Sequence, residues 1–345
     1  MELVSRPMNQ AGLGTMTRSA LLVCLSLAVG NGCKDLSKVS AEAARGHVAI
    51  AVEAAAVDVE DVRGGLPEGA KYLVGLWKAD APQPAPVASG VPPAAPSSSA
   101  TVNPAPGSAP APSSSASPPS SPSGTAEAPT GGAPDPTPAA VREALERARN
   151  KVQALRVAKG TFFAVTNTQG IVLRNDQEQD LMVGHGMFEP FPKLKEALRG
   201  RYVETRGSMP EAATIKGRPD GQWVAAAPVT TERGVVGLYT TGWGWSAYAR
   251  RLELAVRGAV QDELQPGQHE PLVYVAIVVE KQAYGWDIPE VSLEHLEQID
   301  IVGKATAGEP FSESFELTGR KWGLAALPAP VLGSQVAVVV MRSET

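Results

Sequence analysis

The sequence predicts an α+β protein: two modules of antiparallel sheet with long helices, preceded by a disordered Pro/Ala/Ser-rich spacer. Three observations carry that prediction. Of the chain's 30 prolines, 17 fall between Pro82 and Pro138, and from Ala81 to Pro134 the single charged residue is Glu127. Such a stretch lacks the apolar mass to offset its backbone entropy. Beyond it, helix-period and strand-period patterns run in the order helix, hairpin, short helix, three strands, and then recur in abbreviated form. The closing strands also repeat. Trp223 to Gly234 is eleven residues, as is Trp322 to Gly333; Pro228 and Pro328 lie inside, and Gly217-Arg218 and Gly319-Arg320 precede.

The N-terminus reads as an address to the cell envelope. Arg18 precedes ten apolar or small residues, Ala20 to Val29. That length suits a signal peptide and falls short of the roughly 20 residues that span a bilayer as a helix. Gly30-Asn31-Gly32 then leads into Cys33-Lys34. A cysteine directly after small residues resembles the lipobox of bacterial lipoproteins, although Gly30 stands where that motif usually carries Leu. The resemblance implies a signal peptide over 1–33 and lipidation of Cys33, whose acyl chains would hold the protein at the periplasmic face of a membrane. Lys34, rather than Asp, points by the same analogy to the outer membrane. Simple secretion and an uncleaved anchor are the alternatives, and Met16 is an alternative start.

Residues 34–80 are expected to form a small helical hairpin. One helix covers Leu36–Val59, a turn falls at Gly64-Gly65-Leu66-Pro67, and a second helix covers Glu68–Lys78 with Leu73, Leu76 and Trp77 on it. A unit this short is marginal alone and is expected to pack on the C-terminal modules or on a partner. The spacer, 81–136, is read as a tether that reaches on the order of 150 Å when extended at about 3.1 Å per residue.

The first module, 137–264, opens at Thr137, a helix cap, and Pro138, suited to a first turn. Val141, Leu145, Ala148, Val152 and Leu155 form one apolar stripe on a helix expected to run toward Gly160. A hairpin follows, Thr161–Thr166 and Ile171–Arg174 around Asn167–Gly170. Next come a helical patch at 192–199 and strands at Tyr202–Arg206, Gln222–Pro228 and Val235–Thr241, with Ala213–Lys216 as a further strand candidate. Trp245–Glu263 is a long helix that joins the modules. The second module, 265–345, has strands at Leu272–Glu280 and Gln282–Trp286 and a short helix at Ser292–Ile299. A hairpin of Phe311–Leu317 with Trp322–Leu327 follows, and Gln335–Arg342 closes the sheet.

Three segments carry a family resemblance: Phe163-Ala-Val-Thr-Asn-Thr-Gln-Gly-Ile-Val-Leu-Arg-Asn175, Ala197-Leu-Arg-Gly200, and Gly217 through Trp223-Val-Ala-Ala-Ala-Pro-Val229 followed by Gly234-Val-Val-Gly-Leu238. Over roughly Thr137–Thr345 this order resembles extracellular Cache domains, the PAS-like sensor fold, in tandem. The resemblance implies a cup for a small-molecule ligand. The aspartate, tyrosine and arginine that contact the amine in amino-acid-binding members have no counterpart here, and the hairpin turn holds Asn167 where Asp is usual.

Composition excludes several function classes. Formal net charge is −5 and no Lys/Arg run exists, which argues against nucleic acid as a partner. Cys24 and Cys33 both precede the folded regions, so disulfides and thiolate zinc sites are excluded downstream. His47, His185, His269 and His295 lack metal-ligand spacing, so neither metal nor cofactor is expected. No nucleophile–base motif is legible.

The candidate ligand site lies in the first module. Trp223 alternates with Ala225 and Ala227, and Tyr239 with Thr241, so an aromatic faces small residues that leave room for a ligand. Trp223 fits core packing equally well. Arg174 and Arg206 can neutralise a carboxylate or serve surface ion pairs. His185, between Gly184 and Gly186, can close over a ligand or remain a loop residue. The expected function is therefore a non-enzymatic, membrane-tethered periplasmic sensor that passes its signal by contact to an envelope protein partner. The alternative is a ligand-free envelope scaffold built on the same modules.

Overall fold

The computed structural model describes residues 36–77, 135–158, 160–212, 220–306 and 308–344. The signal peptide with Cys33, the spacer as far as Pro134, the candidate strand Ala213–Lys216 and the Gly217-Arg218 pair lie outside the described residues. Among the described residues no helix is long and apolar enough to cross a membrane.

One helix, α1, runs for 38 residues from Leu36 to Leu73, and a 3₁₀ turn, Val74–Trp77, extends it. Its buried positions include Ala44, Val48, Ala51, Ala55, Val59, Val62, Leu66, Ala70 and Leu73. Steps of three and four keep these on one face of a straight helix. The expected hairpin is thus corrected: Gly64-Gly65-Leu66-Pro67 stays inside α1. Close approach explains Gly65 and Gly69, whereas a Cβ on Gly64 would meet nothing within 4 Å. A Cβ on Gly65 would lie 2.9 Å from Leu155 Cδ2, and one on Gly69 would lie 2.6 Å from Leu155 and 2.7 Å from the Tyr239 ring. Each glycine weakens the helix by about 1 kcal/mol relative to Ala, and the packing it permits offsets that loss.

The first sheet follows α2 (Pro138–Lys151) and α3 (Gln153–Val157), separated at Val152, whose extended backbone ends the expected continuous helix. Thr137 Oγ1 caps α2 by accepting from Ala140 N at 3.4 Å. The strands are β1 (Phe162–Asn167), β2 (Val172–Asn175), β3 (Val203–Gly207), β4 (Gln222–Thr231) and β5 (Gly234–Gly244), ordered 2-1-5-4-3 and all antiparallel. A 3₁₀ helix, Pro192–Arg199, crosses between β2 and β3 and ends at Gly200 with φ of 83°. Helix α4 (Trp245–Glu263) leads into the second sheet, as expected.

That sheet comprises β6 (Leu272–Val279), β7 (Gln282–Gly285), β8 (Phe311–Leu317), β9 (Arg320–Pro328) and β10 (Val336–Ser343). Its order, 7-6-10-9-8, repeats that of the first. Helices α5 (Glu290–Gln298) and α6 (Ile301–Lys304) lie between β7 and β8.

Strand alternation assigns the faces. Phe163, Val165, Trp223, Ala225 and Tyr239 of the first sheet and Val275, Ile277, Ala325, Val338 and Val340 of the second share one core with α1 and α4. The outer face of the first sheet (Phe162, Ala164, Val224, Ala226) is covered by Met187, Phe191 and Leu194. Leu293, Leu296 and Ile301 cover the outer face of the second. Pro228 pairs with Leu238 and Pro328 with Ala337. Counted back from these prolines, Trp223 corresponds to Gly323. The tryptophan spacing in the sequence is therefore one residue out of phase: Trp223 faces α1, whereas Trp322 faces the opposite way, among Leu293 and Leu324.

Residues 81–134 lie outside the described residues, but the segments that flank them pack on one another. Helix α1, upstream of it, packs against β4, β5, β8, β9 and β10, all downstream. The described chain ends on either side of it meet at one place. A Cβ on Gly237 would touch the Trp77 ring at 3.1 Å. Gly237 pairs with Asn167, whose Nδ2 donates to Asp135 at 3.1 Å. The segment joins two points of one body.

Candidate functional site

Between the β3 edge of the first sheet and the strand connections of the second lies a cleft of about 1630 Å³. Both sheets wall it. Arg206 on β3 pairs with Trp223 on β4, and Trp245 opens α4 beside them. Lys281 comes from the β6–β7 turn and Gly333 from the β9–β10 connection, while Lys193 stands on the 3₁₀ helix. Two backbone features hold the second-sheet wall. Glu280, in the left-handed region at φ 58°, donates its N–H to Gln335 O at 2.7 Å. Gly333 has φ of 138°, and a Cβ there would lie 3.3 Å from Arg206 Cζ. Its lack of a side chain lets the loop rest against the guanidinium.

The cleft's acidic groups are largely committed within the protein. Glu204 accepts from Arg63 Nε and Nη2 at 2.6 and 3.0 Å and from the Tyr202 hydroxyl at 3.0 Å. Burial, together with that carboxylate, pushes the Tyr202 pKa above the ordinary phenol range. Glu297 accepts from Ala283 N at 3.1 Å, and Asp300 caps α6 through Gly303 N at 3.1 Å. Among the described residues Lys193, Arg206 and Lys281 form no ion pair, and Arg206 Nη1 is buried without a hydrogen-bond partner.

The aromatic wall is a continuous stack. Trp223 stacks on Trp243 with ring centroids 4.4 Å apart and planes 12° apart, and Trp243 stacks on Tyr248 at 4.4 Å and 20°. The Tyr248 hydroxyl donates to Asp58 Oδ2 of α1 at 3.2 Å, and Arg251 Nε donates to the same oxygen at 2.6 Å. On the far side of this stack Trp243, Tyr248 and Leu254 border a smaller, apolar recess of about 450 Å³.

Of the four residues expected to bind ligand, the structure brings only Trp223 to the cleft, and only 1% of it is exposed. Tyr239 is fully buried beneath Gly69; its hydroxyl has no partner, and burial drives its pKa above the phenol range. Arg174 lies on β2, the opposite edge from β3, where it faces Asp180 at 3.5 Å and donates to Gln177 O at 3.0 Å. His185 is half-exposed, with Nδ1 3.4 Å from Glu211. Lys193, Trp245 and Lys281 were not singled out in the sequence, because the cleft arises from the apposition of two sheets and leaves no local pattern. Among the described residues no group of three or more His, Cys, Asp or Glu could hold a metal ion.

No protein-family model and no curated protein matches the chain. Solved structures are similar in part. The ligand-binding domain of the Pseudomonas aeruginosa PAO1 amino acid chemoreceptor PctB, in complex with L-Arg, is 13% identical, with a TM-score of 0.32, over 60% of this chain and 84% of that one. The ligand-binding domain of the Campylobacter jejuni chemoreceptor Tlp3, in complex with L-valine, is 13% identical, with a TM-score of 0.32, over 60% and 73%. The sensor domain of the Vibrio cholerae histidine kinase DctB is 12% identical, with a TM-score of 0.31, over 60% and 80%. Likeness at this level says nothing about ligand or partner.

Proposed function

We propose that the protein is a non-enzymatic ligand-binding sensor of the cell envelope, held at a membrane by lipidated Cys33 and signalling by contact to a separate envelope protein. The observation that carries the ligand-binding reading is the cleft of about 1630 Å³ with walls from both sheets and three cationic side chains that form no ion pair among the described residues. It exceeds the roughly 300–1,000 Å³ of a usual small-molecule site, so a ligand fills part of it and touches both walls. A ligand that touches both sheets favours the arrangement in which both contacts are made, and that differential affinity is what a sensor needs. The stacked wall of Trp223, Trp243 and Tyr248 ends on Asp58 and so connects the cleft to α1.

A second reading has its own observation. The outer face of the first sheet is filled by Met182, Met187, Phe191 and Leu194, all buried, which suits a scaffold whose modules take no small molecule. Ligand-screening thermal shift on the full chain separates the two. A ligand at a hundred times its Kd adds about 2.7 kcal/mol to stability, or roughly 5–10 °C for a folded body of this size. If no compound of any class raises the transition, the scaffold reading replaces the sensor. The anchor is tested by mass spectrometry of membrane-extracted protein: acyl chains on Cys33, and release into the soluble fraction by Cys33→Ala, are expected. A soluble mature form indifferent to Cys33→Ala would remove the tether.

A further inference from the structure

We propose that the cleft takes a small carboxylate clamped between the two sheets, with its carboxylate on Arg206 of the first and Lys281 of the second. This rests on the reading of the cleft as a ligand site. Among the described residues the acidic groups that line the cleft are committed to protein donors, save Glu280, whose side chain is exposed beside Lys281. Glu204, Glu297 and Asp300 are each satisfied by protein donors: the first by Arg63 and Tyr202, the second by Ala283 N, the third by Gly303 N. The cations are not matched in the same way. Lys193, Arg206 and Lys281 form no ion pair among the described residues.

Arg206 is the informative member. It is half-buried, its Nη1 is shut off from solvent, and that nitrogen has no acceptor. A buried guanidinium N–H without an acceptor is costly, and burial of such a group ordinarily comes with a partner. Gly333 lets its loop rest against the guanidinium, where any Cβ would press on Cζ at 3.3 Å, so an incoming carboxylate displaces that loop to reach Nη1. A planar fork with free donors matches a planar carboxylate in two parallel hydrogen bonds. Trp223 and Trp245 back the same space, but at 1% and 2% exposed they offer a ligand little ring surface. Arg206 belongs to β3, and Lys281 to the turn that follows β6. One anion meeting both would link sheets whose other connections are the shared core and α4.

The test is binding of paired acids and amides to the full chain, read by tryptophan fluorescence and by titration calorimetry. The probes are succinate, benzoate and indole-3-acetate, each against its own amide, with inorganic phosphate as a separate arm. At least one acid should bind ten times or more tightly than its amide. Arg206→Gln should weaken that acid about ten- to a hundredfold, the range for a lost hydrogen bond to a charged group. Arg206→Lys should restore part of the loss, and Lys281→Gln should weaken the acid without changing the melting temperature of the unliganded chain. Lys281 sits on an exposed turn, so that variant carries the test if Arg206→Gln does not fold. Amides binding as well as acids, with Arg206→Gln silent, would overturn the carboxylate while leaving the cleft a ligand site. Phosphate binding without any acid would overturn it in favour of a phosphorylated ligand. Silence of every acid, amide and phosphate would remove the carboxylate and, with a negative thermal-shift screen, the ligand site as well.

Discussion

Gly323→Ala tests whether α1 is a structural spine. Gly323 lies on β9 where the equivalent position of the first sheet carries Trp223. Its φ is outside the left-handed region, so on conformational grounds alone an alanine would stabilise the protein by about 0.4–1 kcal/mol. Packing reverses the sign. A Cβ on Gly323 would overlap the backbone N of Ala41 and the carbonyl carbon of Ser40, and would lie 2.5 Å from Ala41 Cα. Carbon atoms pack at about 3.5–4.0 Å, so α1 must shift by roughly 1–1.5 Å at this point. The opposing atoms are helix backbone, and no rotamer change can relieve them. If the helix shifts as a body, overpacking costs about 1–3 kcal/mol. If its first turns peel away instead, the burial of Ala41, Ala44 and Val48 is lost, at roughly 3–4 kcal/mol from about 0.8 per buried CH₂. Urea denaturation should therefore show a loss of about 1–4 kcal/mol, with faster amide exchange over residues 41–51. A neutral or stabilising alanine would refute the packing of α1 on β9.

Trp223→Ala should cost about 3–5 kcal/mol in the same assay, because its ring is buried and stacked at 4.4 Å on Trp243; a loss under 1 kcal/mol would show that the residue is a wall without a core role. His47 should give stability an acid-sensitive component. Its ring is buried, Nε2 lies 3.2 Å from Glu263, and Arg342 stands on its other side near Glu344. Burial, helped by Arg342 and opposed by Glu263, holds its pKa below 6.5. The unfolded chain then binds the proton first, so stability is full above about pH 6.5 and falls as pH drops through the window below it. Buried carboxyls such as Asp176 and Glu253, held above their usual range by burial, slope the other way at lower pH. The measurement is therefore the difference between wild type and His47→Leu from pH 7.5 to 5. Parallel curves would show that His47 does not report folding.

Apolar runs such as Leu272–Val279 and Val336–Ser343 placed the second sheet in the sequence to within two residues and β4 and β5 of the first to within three, and Trp245–Glu263 fell where its helical stripe begins and ends. Side-chain alternation and capping are local, so they survive in a single sequence. What was not legible depends on contacts between distant segments. Gly65 reads as part of a turn because glycine marks turns and close approaches alike, and only Leu155, distant in sequence, decides between the two. Trp223 and Trp322 aligned by type although they face opposite sides, since a one-residue offset in a strand reverses the face without disturbing the spacing. Arg206 was named as a carboxylate partner alongside Arg174, yet β2 and β3 are opposite edges of the sheet. Strand order, which a linear reading of charges does not contain, separates the two arginines.

The position of α1 also changes what the Pro-rich segment does. Leu36 begins α1 only three residues after Cys33, and α1 packs on sheets that follow residues 81–136 in the chain. Both described ends of that segment meet beside the β1–β5 pair, through Trp77 on Gly237 and Asp135 on Asn167. Closing a long loop between neighbouring points costs entropy that grows slowly with length. Removing residues 90–125 shortens the connection roughly threefold, which lowers that cost by about 1 kcal/mol. A segment of this composition has little apolar surface to lose in exchange. The deletion should therefore raise stability by about 1 kcal/mol, whereas a tether outside the fold would leave it unchanged. It should leave the binding of any cleft ligand as it was. A destabilisation of 1 kcal/mol or more on urea titration would show that the removed residues pack on the body, and the loop-closure argument would fail with it.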